Sequence, residues 1–240
     1  MSVVMPAYNE QAVIAETVSA LDRALSETDF DCEILVVNDG STDRTEAILE
    51  QLVATSATVR FVTNPGPNGY GHAVRHGLDH YSGDAVAVVM ADGSDRPADV
   101  IRYFEAIREG HDCAFGTRFS GGTTVTGYPW FKLALNRIGN WLIARLVGRD
   151  YDDFTNGFKC FRRPVIDGMR PLVSGQFNLT VEMSLKAVLS GASFAVVPND
   201  WTQRAGGQSK FKVLSLAWLY LLTIAYCLIG HRLTRLPGPR

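Results

Sequence analysis

The amino-acid sequence predicts an α/β fold in which a mostly parallel sheet is covered by helices on both faces. Short apolar segments alternate with segments whose apolar residues recur at helical spacing, the order typical of such folds. Most of the strand segments contain a continuous apolar run, as strands that are buried on both faces do. Hydrophobic residues occupy 46% of the 240 positions, which is enough for one large core. This composition excludes a disordered or fibrous protein.

The first part of the chain contains three predicted strands and two predicted helices. The strands are 2–6, 33–38 and 59–63, and the helices are 10–25 and 42–53. The strands are short runs rich in valine and other apolar residues. In the first helix, Val18, Leu21 and Leu25 recur at intervals of three and four. In the second, Ser41 or Thr42 is the expected N-cap, because a side-chain oxygen there can accept a hydrogen bond from the first turn.

Four further elements complete the alternating pattern. A loop at 64–71 leads to a helix at 72–80, a strand at 84–90, a helix at 98–109 and a strand at 112–116. The loop has the sequence NPGPNGYG, whose glycines and prolines favour turns over regular structure. The strand DAVAVVM is apolar after its first residue, so it belongs to the same buried sheet.

The pattern changes after residue 116. A Gly/Thr-rich segment at 120–127, expected to be a mobile loop, precedes a helix at 130–147, a strand at 158–161, a helix at 179–190 and a strand at 193–198. A polar loop at 203–210 then leads to an uncharged apolar segment at 213–230. The helix at 130–147 combines two tryptophans and several aliphatic residues with Lys132, Arg137 and Arg145. Such a mixture is typical of helices that lie at a membrane surface; a solvated basic face is the alternative.

Charge, cysteine content and missing motifs exclude several classes of protein. The net charge of −2 argues against a nucleic-acid binder that relies on a basic surface. The four cysteines form no C-x-x-C pair, which excludes a disulfide scaffold or zinc ribbon and fits a reducing compartment. No secretory signal is expected at the N-terminus. Neither the glycine motif of dinucleotide-binding enzymes nor the phosphate loop of P-loop NTPases is present.

Polar residues follow three of the predicted strands. The segments are PAYNE at 6–10, NDGSTD at 38–43 and ADGSD at 91–95. In a parallel sheet these segments share the edge at which ligands bind. Each could instead be only a turn with a helix cap, but the recurrence favours a binding site. Asp92 and Asp95 could hold Mg²⁺ or Mn²⁺, which would bridge the phosphates of a nucleotide; capping of the helix at 98–109 is the alternative for Asp95.

The ordered motifs resemble those of family 2 glycosyltransferases of the GT-A fold, especially the polyprenyl-phosphate and dolichol-phosphate mannosyl- and glucosyltransferases. The motifs are VVMPAYNE, VVNDGSTD, MADGSD, GTRFSGG and QRAGGQSK, and the resemblance covers about residues 1–212. The resemblance implies that Pro6, Tyr8, Glu10 and Asp39 line the donor nucleotide pocket. It also implies that Asp92 binds the metal. The sequence departs from the common D-A-D-x-Q pattern, because Ala91 and Gly93 flank Asp92 and Asp95 follows three residues later.

The resemblance also implies residues for the acceptor and for closure of the site. Arg118 would act in catalysis and bind the acceptor phosphate with Lys132 and Arg137, since an arginine fork suits a phosphate dianion. Asp153 matches an acidic, acceptor-side catalytic position, and Glu182 another acidic position that could instead bond a neighbouring loop. Arg204 and Lys210 would close over the donor diphosphate; a basic loop entering a membrane helix is the alternative.

Three interpretations of residues 213–230 remain open: a single membrane span, an interfacial helix, or a helix packed on protein. We therefore expect a GT-A domain at 1–212 containing an interfacial helix near 130–147, a membrane-associating helix at 213–230 and a basic tail at 231–240. The catalytic domain is expected to face the cytoplasm, where nucleotide sugars are made.

The resemblance implies an inverting, metal-dependent transferase. It would move a hexose from GDP-mannose or UDP-glucose to a polyprenyl phosphate, with membrane lipid and a possible membrane subunit as partners and no nucleic acid. Two alternatives stay open. The acceptor could be a hydroxyl of a glycan or small molecule, for which Asp153 would serve as base. The chain could also be an inert membrane-bound scaffold that retains the fold.

Overall fold

The computed structural model describes residues 1–127, 129–202 and 213–234. Its strands are β1 (Ser2–Ala7), β2 (Glu33–Asn38), β3 (Val59–Thr63), β4 (Ala85–Val88), β5 (Cys113–Thr117), β6 (Val125–Thr126), β7 (Lys159–Arg162), β8 (Phe194–Pro198) and β9 (Trp201–Thr202). Its helices are α1 (Ile14–Ser26), α2 (Thr45–Thr55), α3 (Tyr70–Leu78), α4 (Pro97–Arg108), α5 (Trp130–Val147), α6 (Arg163–Gly168), α7 (Leu179–Ser190) and α8 (Val213–Thr234).

Seven strands form the central sheet in the order β3-β2-β1-β4-β7-β5-β8. Strands β1 to β4 pair in parallel, and β5 pairs in parallel with β8. Strand β7 is antiparallel to both of its neighbours, β4 and β5. The predicted mostly parallel sheet is therefore confirmed. A second, two-stranded sheet joins β6 to β9, so part of the segment predicted as a mobile loop is paired.

Alternate side chains of the strands enter two apolar cores, one on each face of the sheet. On one face, Val3 and Met5 of β1 belong to the core that includes side chains of α1, α2 and α4. On the other face, Val4 belongs to the core that includes side chains of α3 and α5 to α8. Helices cover both faces, as expected for strands with continuous apolar runs.

Helices α1 to α4 begin at residues 14, 45, 70 and 97, whereas the predicted starts are 10, 42, 72 and 98. Near α2 and α4, the side chains considered as caps have other partners. Helix α2 begins at Thr45, three residues later than predicted. The expected caps bond the loop after β1 instead: Ser41 Oγ accepts the N–H of Asn9 at 3.1 Å, and the N–H of Thr42 donates to Asn9 Oδ1 at 2.7 Å. Asp95 does not cap α4, since its Oδ2 accepts the N–H of Met90 at 2.8 Å.

The apolar C-terminal segment forms helix α8, which packs on α7. Asn178, just before α7, donates from Nδ2 to Thr223 Oγ1 at 2.9 Å, and Cys227 is buried in the core. Across the described ranges, no helix combines the length and the apolar composition that crossing a membrane requires. The alternative of a single span is therefore not confirmed. The helix continues to Thr234, four residues beyond the predicted end.

Candidate active site

The loops that follow β1 and β2 meet at one edge of the sheet. The two strands pair from Ser2 with Glu33 to Ala7 with Asn38, so both end at the same level. Beyond them, Thr42 Oγ1 lies 3.3 Å from Asn9 Nδ2, which donates to it. The N–H of Glu10 donates to Thr45 Oγ1 at 2.9 Å. Two of the three polar strand ends that the sequence predicts as neighbours, those after β1 and β2, are therefore in contact.

Asp39 is almost completely buried and joins the end of β2 to the loop after β3. Its Oδ1 accepts from Asn64 Nδ2 and its Oδ2 from the N–H of Gly69, both at 2.7 Å. Gly69 has φ of 143°, and a Cβ there would lie 2.7 Å from the carbonyl oxygen of Gly175. Only glycine avoids both the strained φ and the clash. Asp39 thus orders the loop beside the predicted nucleoside pocket.

The other residues predicted for the nucleotide pocket lie along the same edge. Pro6 is buried inside β1, and the side chain of Glu10 is half-buried. Tyr8 is 46% exposed. The predicted closing residues Arg204 and Lys210 lie outside the described residues. The structure therefore places four of the six predicted donor residues, Pro6, Tyr8, Glu10 and Asp39, at or beside one edge.

Asp92 and Asp95 lie in the segment that follows β4. Asp92 Oδ1 accepts the N–H of Ser94 at 3.0 Å. Burial, together with the negative charges of Asp92 and Asp99, raises the pKa of Asp95 to about 7, although the Met90 N–H and Arg118 favour its charged form. Two close carboxylates compete for charge in this way when no cation neutralises them.

The donor set around Asp92 fits a hard divalent cation. Both aspartates line a cleft of about 320 Å³, and Glu16 and Thr17 of α1 also line it. Carboxylate oxygens are preferred ligands of Mg²⁺ and Mn²⁺. In the described part of the chain, no group of three or more histidine, cysteine or acidic side chains could hold a metal by itself. A cation at Asp92 and Asp95 would therefore need further ligands, such as phosphate oxygens.

Arg118, directly after β5, forms a two-pronged ion pair with Asp153. The Nε donates to Oδ2 at 2.8 Å and Nη2 to Oδ1 at 2.7 Å, while the N–H of Arg118 donates to Oδ2 at 3.1 Å. Asp153 is fully buried and the side chain of Arg118 is 10% exposed. Because both carboxylate oxygens of Asp153 accept from Arg118, the aspartate holds the guanidinium in one orientation. The catalytic roles of Arg118 and Asp153 remain predictions.

Arg118 and Arg137 both contact the ring of Phe119. Their guanidinium carbons lie 5.2 and 4.7 Å from the ring centroid. Arg137 also lies 3.5 Å from Asp152, the neighbour of Asp153. Two of the three basic residues predicted to bind the acceptor phosphate thus contact the same aromatic ring. The third, Lys132, is half-buried near the start of α5. Phe119 was not predicted, although it follows Arg118 in the GTRFSGG motif.

Lys159 is a buried lysine close enough to the Arg118–Asp153 pair to feel both charges, and it was not predicted from the sequence. Its Nζ donates to the carbonyl oxygen of Phe154 at 3.2 Å and to that of Asn156. Burial lowers its pKa to about 7, and Arg118 acts in the same direction while Asp153 opposes it. The lysine therefore supports the backbone of the loop that contains Asp153. A lysine between the apolar residues of a predicted strand was the available signal.

Glu182 has a structural role. Its fully buried carboxylate accepts the backbone N–H groups of Val173 and Ser174, at 2.8 to 3.2 Å, and pairs with Lys186 at 2.7 Å. The helix-to-loop hydrogen bond, one of the two roles left open by the sequence, is therefore the observed one.

Residues 2–169 match the family model of glycosyl transferase family 2, and the chain belongs to that family. The chain is 32% identical over 214 residues to polyprenol monophosphomannose synthase of Mycolicibacterium smegmatis, covering 87% of this chain and 79% of the relative. It is 31% identical over 215 residues to dolichol-phosphate mannosyltransferase of Pyrococcus furiosus, covering 88% of this chain and 59% of the relative.

Solved structures confirm the GT-A fold. Glucosyl-3-phosphoglycerate synthase of Mycobacterium tuberculosis, in complex with phosphoglyceric acid, superposes with a TM-score of 0.70 at 20% identity, covering 94% of this chain and 79% of that one. The same enzyme in complex with Mn²⁺, UDP-glucose and phosphoglyceric acid gives a TM-score of 0.71 at 19% identity, with 94% and 78% covered. At such identities the likeness concerns the fold alone.

Proposed function

We propose that this family 2 glycosyltransferase moves a hexose from GDP-mannose or UDP-glucose to a polyprenyl phosphate, with inversion at the anomeric carbon, at the cytoplasmic face of a membrane. The observation that carries the proposal is the placement of Arg118 and Arg137 on one ring beside helix α5. The names of the two relatives, a polyprenol monophosphomannose synthase and a dolichol-phosphate mannosyltransferase, support the same acceptor class.

The outer face of α5 supports a lipid acceptor. Its large apolar side chains are exposed; they are Trp130, Phe131, Leu135, Ile138, Trp141, Leu142 and Leu146. Trp130 is 81% exposed, and Arg145 lies over the ring of Trp141 at 5.8 Å. Exposed aromatic and aliphatic residues interleaved with arginines favour the boundary between headgroups and acyl chains. A lipid phosphate would sit at the depth of Arg137.

The proposed reaction needs alignment more than proton transfer. The acceptor phosphate is already an oxyanion at neutral pH, so one of its oxygens can attack the anomeric carbon directly. A new carbon–oxygen bond forms on the face opposite the diphosphate, the original bond breaks, and the nucleoside diphosphate leaves with the electron pair. Arg118 and Arg137 would hold the phosphate in line and offset its repulsion from the diphosphate.

On the donor side, the proposal places the nucleoside beside Tyr8 and Glu10 and the diphosphate near Asp92 and Asp95. A divalent cation at these aspartates would neutralise charge on the leaving diphosphate. The solved relatives that contain Mn²⁺ with UDP-glucose support the choice of cation. The proposed domain limits remain 1–212 and 213–230, and a membrane partner subunit remains a prediction.

A donor and acceptor screen tests the proposal. Purified protein in detergent is incubated with labelled GDP-mannose or UDP-glucose, Mg²⁺ or Mn²⁺, and a polyprenyl phosphate. We expect labelled product in the chloroform phase, lost when the acceptor is omitted. Release of nucleotide only with a glycan or small-molecule alcohol would contradict the lipid acceptor. Absence of cation-dependent donor binding by calorimetry would favour an inert scaffold.

A further inference from the structure

The inner side of helix α5 is tied to the loop that holds Arg118. Asn136 and Asn140, one turn apart, donate from their side-chain amides to Thr155 Oγ1 at 2.8 and 3.1 Å. The N–H of Thr155 donates in return to Asn140 Oδ1 at 3.2 Å. Asn140 also donates to Asn136 Oδ1 at 2.8 Å. Three contacts thus connect two turns of α5 to a single threonine.

Thr155 continues the connection to the ion pair. Its hydroxyl donates to Asp153 Oδ1 at 3.3 Å, and its oxygen accepts from Arg118 Nη2, also at 3.3 Å. The carboxylate and guanidinium are therefore held by the same hydroxyl group that the asparagines bind. A displacement of α5 would move Thr155, and with it both members of the pair.

Of the two asparagines, Asn140 is buried and Asn136 is half-buried. Asn140 is 1% exposed, and a buried amide is tolerated only when it is hydrogen-bonded. A satisfied buried polar network specifies one relative position of its parts, whereas apolar contacts allow sliding. The opposite side of α5 carries the exposed apolar residues described above. One helix thus combines a lipid-compatible outer face with a position-specifying inner face.

We propose that Asn136 and Asn140 are positioning residues that orient Arg118 through Thr155, so that the placement of α5 on a membrane sets the direction of the phosphate-binding cation. The inference rests on the proposed function, because it takes Arg118 to bind the acceptor phosphate. Neither asparagine needs to touch the acceptor. The contact should therefore govern acceptor affinity and leave donor affinity unchanged.

The test uses the full chain and farnesyl phosphate as the probe. Its affinity is measured by calorimetry without donor, and its KM by hexose transfer with donor. Thr155→Val, Asn136→Leu and Asn140→Leu should each weaken farnesyl phosphate binding and raise its KM about 10- to 100-fold. A displacement of a binding group by about 1 Å can cost up to about a hundredfold. Thr155→Ser keeps the hydroxyl and should stay within about twofold of wild type. Donor affinity should not change.

Two controls separate positioning from general loss of structure. Asn178→Leu removes a buried amide that makes two side-chain hydrogen bonds, to Ser174 and Thr223, and should destabilise the protein without altering farnesyl phosphate affinity. In the double variant Asn140→Leu/Thr155→Val, the effect should equal that of Thr155→Val alone, because both act through one connection. If Asn140→Leu does not fold, as judged by circular dichroism, the half-buried Asn136 provides the same measurement.

The two proposals fail in different ways. If wild type binds farnesyl phosphate but transfers no hexose to any prenyl phosphate, the proposed function is wrong, and the binding measurements still decide the positioning role. If Thr155→Val binds farnesyl phosphate as tightly as wild type, the positioning role is wrong whatever the turnover. If wild type does not bind the probe, both are overturned.

Discussion

Arg118 makes two side-chain hydrogen bonds to Asp153, of 2.7 and 2.8 Å, across 35 residues of sequence. The carboxylate is fully buried and the side chain of Arg118 is only 10% exposed. The pair holds the guanidinium in an orientation that the flexible side chain alone would not maintain. A carboxylate engaged in this way is poorly suited to accept a proton from a sugar hydroxyl. The pair therefore favours an acceptor that is already ionised, such as a phosphate.

Asp153→Asn should destabilise the protein by about 3 kcal/mol, because it leaves a buried guanidinium without its counter-charge. The adjacent Asp152→Asn is the matched control: its side chain is partly exposed and 3.5 Å from Arg137, and the remaining amide oxygen can still accept the hydrogen bond of Thr117 Oγ1. Loss of the charge there should therefore cost only about 1 kcal/mol or less. Urea unfolding of both variants measures the difference. Equal costs would mean that the Arg118–Asp153 pair is no stronger than a surface contact.

The pKa of Asp95, raised to about 7 mainly by burial, predicts a pH dependence of stability without metal. The folded state binds the proton more tightly than the unfolded state, where the pKa is near 4. Stability contributed by the neutral acid is therefore present below about pH 4 and is lost as pH rises through about 7. In EDTA, Asp95→Asn should reduce the decrease in folding stability between about pH 4 and pH 7. Asp92→Asn should move its midpoint to lower pH by removing a like charge; unchanged profiles in both variants would contradict the assignment.

Removal of divalent cations should abolish hexose transfer, and added Mn²⁺ should restore it. Asp92→Asn should lower kcat/KM roughly a hundredfold or more, since a bound cation contributes several kcal/mol to the stabilisation of leaving-group charge. The control is Asp84→Asn, which changes an exposed aspartate just before β4, at the opposite end of that strand. Full activity of wild type in EDTA would show that Asp92 does not act through a metal.

Phe119→Leu should raise the KM for polyprenyl phosphate while leaving that for the donor unchanged. The ring contacts both Arg118 and Arg137, and each cation–π contact contributes about 1 kcal/mol. Loss of one or both contacts should therefore raise the KM for polyprenyl phosphate roughly five- to thirtyfold. Phe119→Tyr keeps an aromatic face and serves as the control. Steady-state kinetics with each substrate varied in turn makes the comparison; equal effects on both KM values would argue against a role at the acceptor phosphate.

Gly69→Ala should destabilise the protein by about 1 to 3 kcal/mol and weaken nucleotide binding, because φ of 143° is strained for any other residue and the Gly69 N–H bonds Asp39. Gly139→Ala in α5 is the contrast, since a Cβ there meets nothing within 4 Å and a helix interior gains up to about 1 kcal/mol from the change. Thermal unfolding measures whether each substitution lowers or raises the stability of the protein. A neutral Gly69→Ala would mean that the loop adapts without cost.

Elements that depend on local apolar pattern were predicted well. The limits of β2, β3, α5 and α7 agree with the predictions, because each is a run of strand-forming residues or a helical repeat that is followed by residues favouring a turn. The order of strands and helices also predicted the parallel sheet, since parallel neighbours require a crossover between them. The short β6, β9 and α6 escaped prediction because so few residues carry no periodic signal.

Residues whose roles depend on distant partners could not be predicted in the same way. In the local sequence, Ser41 and Thr42 have the character of helix N-caps. In the structure they form hydrogen bonds with Asn9, about thirty residues earlier. Lys159 lies in an apolar strand, and nothing around it in the sequence indicates that its Nζ supports the loop at Asp153.

By itself, the amino-acid sequence determined the alternation of strands and helices, the motifs of a family 2 glycosyltransferase, and the strand ends that carry the acidic residues. Only the tertiary structure decided how Arg118, Asp153 and Thr155 are held together and how Asn136 and Asn140 join that group to α5. The physical reason is that periodicity and motifs are local, whereas hydrogen-bond partners of buried polar groups are chosen when the elements pack.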